Sequence, residues 1–320
     1  MNNSGSSVPL KRAVVEEAME YLACPLDKSE LDMDIPKADE IYEGELSCRK
    51  CGKEYRISNG VLYFLGRNTE VEGFSFENEV EQRRYIERIM ENAAAESATL
   101  GERDSAERMQ RATRERYELE RYSGTWLVPD DVISRLNGYE NGLVVEGACG
   151  PGECLIGLRK MIGGKFFLGV DISSRMVRDA QRTAMELNGA ENGNVLFVEG
   201  DIRYLPIRSN SCSVYVVNNA WDRVAEPRRA AKEARRILNG LGSVVFSNCQ
   251  PMQFECIKDG KRIVYVPEDE RMDIEKAVRV SGCELILVKE GDIWAIRTLY
   301  DGEEMLPMKV VYGIRRLENE

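Results

Sequence analysis

Histidine is missing from all 320 residues. Its absence removes the commonest general base and the commonest metal ligand, so proton transfer falls to Asp, Glu, Tyr, Lys, Cys or water. No apolar run approaches the ~20 residues that a membrane-crossing helix needs, and no membrane association is expected. The opening Met1-Asn2-Asn3-Ser4-Gly5-Ser6-Ser7 has no basic stretch ahead of an apolar core, so it does not read as a signal peptide. Residues 1–8 are expected to form a disordered tail. Positive charge is in deficit: 44 Lys and Arg against 55 Asp and Glu leave −11. That balance disfavours a broad basic surface for nucleic acid, although a local patch would suffice for RNA. The nine cysteines are odd in number and six of them are scattered, which suits reduced thiols in a cytoplasmic protein better than a disulfide framework.

What is present is a series of apolar runs that end in acids. Val144-Val145-Glu146 leads into the turn Gly147-Ala148-Cys149-Gly150-Pro151-Gly152, and a helical pattern with Leu155, Ile156 and Leu158 follows. Phe166 to Asp171 is a second such strand, Val195 to Asp201 a third, and Val214 to Val217 a fourth, ending at Asn218-Asn219. Carboxyl ends of strands in an open α/β sheet line one ligand crevice. Three acids there suit a ligand rich in hydroxyl and amine donors. A dinucleotide pyrophosphate beside Glu146 would be repelled, and Leu155 stands where the third glycine of GxGxxG belongs. Taken singly, Asp171 ahead of Ser173 and Ser174 is equally a helix-cap signature.

Residues of about 140–250 resemble the Rossmann-like S-adenosylmethionine-dependent methyltransferases. Glu146 to Gly152 is similar to the family's first motif, with Glu for Asp and Ala148 for a glycine. Asp171, Asp201-Ile202 and the stretch Glu233 to Gly242 resemble the later motifs. The resemblance implies cofactor binding by Glu146, Gly147, Ala148, Cys149, Gly150, Gly152, Asp171, Ile172, Met176, Asp201, Ile202 and Asn218. Asp171 would hold the ribose hydroxyls, and Asp201 would receive the adenine amine. Asn219, Trp221 and Asp222 fall where family enzymes place the acceptor, with Asp222 as a candidate base and Trp221 as a pocket wall.

Upstream, Cys24-Pro25-Leu26-Asp27 and Cys48-Arg49-Lys50-Cys51-Gly52 have the paired-knuckle spacing of a zinc ribbon, with Asp27 where a second cysteine is usual. Residues 10–65 resemble the small zinc-ribbon domain that activates certain tRNA and protein methyltransferases in trans. The implied ligands are Cys24, Asp27, Cys48 and Cys51, around a structural zinc.

These readings divide the chain into a ribbon-like domain (1–70), a charged helical linker or cap (71–135) and a methyltransferase domain (136–320). The cap carries helices over Glu79–Met90 and Ala106–Tyr122, either as a solvated charged face or as a lid presenting Tyr117, Tyr122 and Trp126 to the crevice. The fold class is α/β: a small α+β ribbon and the cap, then a seven-stranded, mostly parallel sheet. Its C-terminal hairpin is expected from Trp294–Leu299 and Met308–Ile314, with a separate strand at Glu284–Val288. The expected activity is in-line methyl transfer to an unidentified small molecule or protein side chain. RNA methylation through the ribbon, or a non-catalytic cofactor-binding and partner-docking module, are the alternatives. A protein partner at the ribbon is possible on the same reading.

Overall fold

The computed structural model describes residues 8–65, 130–136, 142–162, 164, 166–188, 194–218, 220–221, 224, 226–249, 254–258, 261–265, 274–297 and 302–315. The N-terminal part runs β1 (Leu10–Lys11), α1 (Arg12–Ala18), β2 (Leu31–Asp34), β3 (Glu40–Ile41), β4 (Gly44–Cys48), β5 (Glu54–Ser58) and β6 (Val61–Tyr63). β5 alternates, with Tyr55 and Ile57 buried and Glu54 and Arg56 exposed, as a half-buried strand does. Asn59-Gly60 then turns the chain with φ of 51° and 74°, the left-handed pair that a two-residue hairpin loop requires. A side chain at Gly60 would collide with the Val8 carbonyl. The expected tail therefore stops short of Val8; residues 1–7 lie outside the described residues.

The second part runs α2 (Asp130–Leu136), β7 (Leu143–Gly147), α3 (Glu153–Met161), β8 (Phe166–Asp171), α4 (Ser174–Asn188), β9 (Val195–Glu199), a 3-10 turn (Ile202–Tyr204), β10 (Cys212–Asn218), α5 (Pro227–Ile237), β11 (Leu238–Cys249), β12 (Phe254–Lys258), β13 (Lys261–Tyr265), α6 (Ile274–Val280), β14 (Cys283–Arg297) and β15 (Gly302–Arg315). Every residue of β7 and β8 is buried, because helices cover both faces of a parallel sheet. Val145 and Tyr215 pack with α1, α5 and α6 on one face, while Val144 and Val216 pack with α2, α3 and α4 on the other. The expected cap helices at 79–90 and 106–122 lie outside the described residues; α2 is the part of the 71–135 segment that is described. Among the described residues no helix is long and apolar enough to cross a membrane.

The strand order is β14-β15-β11-β10-β7-β8-β9-β6-β5-β4-β2. The first seven of these are the expected sheet, parallel from β11 to β9 and antiparallel at β14 and β15. One detail differs from expectation. The separate strand at Glu284–Val288 and the one beginning at Trp294 are a single strand, β14, paired along its length with β15 from Cys283↔Arg315 to Arg297↔Gly302. Four ribbon strands, β2, β4, β5 and β6, extend this sheet, while β1 and β3 pair with each other in a two-stranded sheet. β6 pairs parallel with β9, Leu62 against Val198 and Tyr63 against Glu199, and the Phe64 N–H donates to the Glu199 carbonyl at 3.0 Å. The ribbon thereby covers a sheet edge whose unpaired backbone groups would otherwise face outward.

Candidate functional site

The chain leaves β7 at Gly147 and reaches α3 through Ala148, Cys149, Gly150, Pro151 and Gly152. Ala148, Gly150 and Gly152 have φ of 54°, 52° and 81°. A glycine costs nothing in that region, whereas Ala148 carries roughly 1–2 kcal/mol of strain. A Cβ at Gly152 would lie 2.7 Å from the Phe197 ring and 2.8 Å from Ala180, so this glycine lets α3 sit close on the sheet. A Cβ at Gly150 would meet nothing within 4 Å, so a ligand can approach the backbone there.

The three acids come together at neighbouring strand ends, and each already holds protein groups. Glu146 is 2% exposed and accepts the Leu155 N–H at 2.9 Å, capping the start of α3 from beneath the turn. Burial pushes its pKa up to about 8, because a desolvated carboxylate favours its neutral form. Asp171 accepts the Gly150 N–H on Oδ2 at 2.8 Å and the Ser173 N–H on Oδ1 at 2.9 Å. Its pKa is raised by burial, against those two hydrogen bonds. The helix-cap reading of Asp171 and the ligand reading are therefore compatible: one carboxylate joins the Gly-rich turn to the start of α4, where Ser173 Oγ accepts the Met176 N–H at 3.4 Å.

Asp201 is held by a neighbouring side chain. Arg203 grips it in a fork, Nη2 to Oδ2 at 2.7 Å and Nε to both oxygens at 3.1 and 3.0 Å, while the Arg203 backbone N–H reaches Oδ1 at 2.8 Å. Three N–H groups of Arg203 thus engage both carboxylate oxygens and fix the orientation of Asp201. Arg203 Nη1 also reaches Glu226 Oε1 at 2.8 Å, tying the 3-10 turn to the residue ahead of α5. Sequence reasoning missed Arg203 and Glu226; an arginine two residues beyond a strand-end acid was the available signal.

At the end of β10, Asn218 Oδ1 accepts a hydrogen bond from Ser247 Oγ at 2.6 Å. Trp221 is stacked on Phe246 with ring centroids 4.8 Å apart and is 2% exposed. Its ring is packed into the core cluster on that face of the sheet. Ile202 is buried, and Ile172 and Met176 are half-buried at the crevice rim. Asn219 and Asp222 lie outside the described residues. The Tyr215 hydroxyl, also missed, is buried beside Gly147 without a hydrogen-bond partner among the described residues.

The ribbon brings Cys24, Asp27, Cys48 and Cys51 together with one ligand atom each within 4.8 Å of one another. The Cys24 and Cys51 sulfurs are 3.8 Å apart, and the Cys48 sulfur lies 3.4 and 3.6 Å from the two Asp27 oxygens. Tetrahedral zinc with ordinary Zn–S and Zn–O bonds requires about 3.8 Å between sulfurs and about 3.6 Å between sulfur and oxygen. The residues therefore fit zinc, with Asp27 as the fourth ligand. The second knuckle is preformed: the Lys50 and Cys51 N–H groups both point at Cys48 Sγ at 3.4 Å, and Gly52 turns away with φ of 70°.

The first knuckle is bolted to the crevice. The Ala23 N–H donates to the Pro206 carbonyl at 3.0 Å, and the Arg208 N–H to the Tyr21 carbonyl at 2.8 Å. Lys28 Nζ reaches the Leu205 carbonyl at 3.4 Å and Glu233 Oε2 at 2.9 Å. Burial acts to raise the Glu233 pKa, but Arg236 and Lys28 outweigh it and hold the carboxyl below its ordinary range.

Residues 144–242 match the family described as a methyltransferase domain, and residues 17–60 match the Trm112p-like protein family. A curated relative, an uncharacterized 37.1 kDa protein in transposon TN4556 of Streptomyces fradiae, is 36% identical over 100 residues, covering 30% of this chain. The chain spans 27% of the length of that relative. Among solved structures, a SAM-dependent methyltransferase from Aquifex aeolicus is 17% identical with a TM-score of 0.42, over 59% of this chain and 90% of that one. A complex of the Haloferax volcanii Trm112 methyltransferase activator with a putative methyltransferase is 17% identical with a TM-score of 0.44, over 65% of this chain and 96% of the matched one. Both matches fall in one polypeptide, the Trm112p-like match ahead of the methyltransferase-domain match.

Proposed function

We propose that the protein is an S-adenosylmethionine-dependent methyltransferase acting on a small molecule or a protein side chain. The observation that carries the reading is the Gly150–Asp171 contact: a turn with open backbone, folded onto an acid at the next strand end. The sulfonium supplies an activated methyl group, so what remains for the protein is alignment and exclusion of water. Asp171 holds the ribose hydroxyls, the Gly147–Gly152 turn passes under the methionine part, and Ile202 packs on the adenine. Asp201 serves the adenine side through the segment that Arg203 fixes. Asn218 is proposed at the cofactor, and Asn219 and Asp222 on the acceptor side, with the Trp221 ring as the wall behind them. The charge of −11 favours a small molecule or a protein over RNA. Seven described cysteines are free thiols, which supports a reducing, cytoplasmic setting.

Calorimetry with S-adenosylmethionine, S-adenosylhomocysteine and NAD tests the reading. Binding of both sulfur nucleosides in preference to NAD is expected. Tight NAD binding with no response to either would overturn it.

A further inference from the structure

We infer that Tyr55 is a positioning residue for the metal centre: its hydroxyl donates a hydrogen bond to the Cys24 sulfur and holds that thiolate against the metal. The inference rests on the ribbon holding a metal. The Tyr55 oxygen lies 3.0 Å from Cys24 Sγ, and both residues are buried, at 1% and 0% exposure. A metal-bound thiolate has no proton to give, so the phenol must be the donor.

Charge explains why a donor is needed there. Three thiolates and a carboxylate around a divalent ion leave a net charge of about −2, and buried charge is costly unless hydrogen-bond donors meet it. Cys48 receives the Lys50 and Cys51 N–H groups, and Asp27 receives the Ser29 N–H at 3.0 Å. Cys24, the most deeply buried ligand, faces the backbone amides of Leu26 and Asp27. Tyr55 is its side-chain donor from outside the knuckle.

The hydroxyl is held in place. Tyr55 sits on β5 opposite Leu46, and its ring packs on Phe64 with centroids 5.0 Å apart. A fixed donor of this kind orients a ligand without losing rotor entropy when the metal binds.

The test uses the full chain loaded with zinc or with cobalt(II). Tyr55→Phe keeps the ring and removes the donor. A 10- to 100-fold loss of zinc affinity in competition with a chelating dye is expected, as for other residues that brace metal ligands. The sulfur-to-cobalt charge-transfer band should move to lower energy, because the thiolate lone pairs lose a donor. Phe64→Leu loosens the ring packing but leaves the hydroxyl, and should leave the band in place. Unchanged zinc affinity and an unchanged band in Tyr55→Phe overturn the inference, as does an equal band shift in Phe64→Leu. A parent protein that takes up neither zinc nor cobalt removes its basis altogether, without touching the cofactor reading.

Discussion

Lys28 Nζ and Glu233 Oε2 meet at 2.9 Å and join the first knuckle of the ribbon to α5. The pair lies largely out of water, with side-chain exposures of 23% and 13%. It is part of a larger clamp: Arg236 holds Glu233 at 2.7 Å and reaches the Leu205 and Ile207 carbonyls. The segment that follows Asp201 is therefore gripped from the ribbon and from α5 together. Lys28→Met leaves Glu233 its Arg236 partner, so the loss should be that of one charge-assisted contact, about 1–3 kcal/mol. Thermal unfolding checks the magnitude, and faster hydrogen exchange at Leu205 to Arg208 checks the location. In a double-mutant cycle with Glu233→Gln, the coupling should exceed about 0.5 kcal/mol; additive effects would show that the two groups do not act together.

Glu146 sets a pH dependence. Its folded pKa of about 8 lies above the ordinary 4.5, a difference worth roughly 5 kcal/mol. Below pH 4.5 the carboxyl is protonated in both states and nothing is lost. Between pH 4.5 and about 8 the unfolded chain ionises while the folded one keeps its proton, so stability falls across that window and levels above it. Glu146→Gln keeps an acceptor for the Leu155 N–H and cannot ionise. Its melting temperature relative to the parent should rise from pH 5 to pH 8 and then level off. A constant difference across that range would mean that Glu146 is already ionised in the fold.

The sequence made the sheet legible because its strands are fully buried. Leu143 to Gly147 and Phe166 to Asp171 are apolar runs with no solvent face to interrupt them. It also showed which acids end those strands. It did not show what each acid holds. The fork from Arg203 to Asp201 depends on the 3-10 turn at Ile202–Tyr204, and such short turns leave no periodic signal. The pairing of β6 with β9 joins residues more than 130 positions apart, and edge pairing of that kind is set by three-dimensional fit, not by local pattern. Trp221, expected as a pocket wall, stacks on Phe246, a partner that appears only once β10 and β11 lie side by side. The metal ligands were readable because knuckle spacing is local; the approach of Tyr55 to Cys24 was not, because it joins residues 31 positions apart.

Gly147 and Tyr215 form a size-matched pair. A Cβ at Gly147 would run into the Tyr215 hydroxyl, and Ile202 Cγ2 would be 3.0 Å away. Tyr215 is fully buried and cannot swing out. Gly147→Ala should therefore cost about 1–3 kcal/mol. The hydroxyl has no hydrogen-bond partner among the described residues, so Tyr215→Phe should raise stability, by about 1 kcal/mol, and should ease the Gly147→Ala defect when combined with it. Chemical denaturation of the three variants measures this. A destabilised Tyr215→Phe would mean that a bound water or another group satisfies the hydroxyl.

Asp171 should matter more for cofactor affinity than any acid on the acceptor side. Two ribose hydroxyl bonds to a charged acceptor are worth ~1.5–3 kcal/mol each, and Asp171 also fixes Gly150 and Ser173. Asp171→Ala should weaken S-adenosylhomocysteine binding at least tenfold by calorimetry, while Asp222→Ala should leave it nearly intact. Equal losses would contradict this division of roles.

Asp27 gives the metal site its most testable asymmetry. Its oxygens lie 3.4 and 3.6 Å from the Cys48 sulfur, close enough to complete a tetrahedron that three thiolates leave open. Thiolate is the softer ligand and binds zinc more tightly than carboxylate. Asp27→Cys should therefore raise zinc affinity, and Asp27→Ala should lower it while the three cysteines still hold the ion. Cys48→Ser should empty the site, because it removes the sulfur around which the second knuckle is folded. Metal-coupled folding then predicts a lower melting temperature for Cys48→Ser and for the chelated parent alike. Elemental analysis together with thermal unfolding separates the outcomes. Equal zinc content in Asp27→Ala and the parent would transfer the fourth position to water. An unchanged melt in metal-free protein would mean that the ribbon is held by its core of Leu22, Leu46, Tyr55 and Ile57 alone.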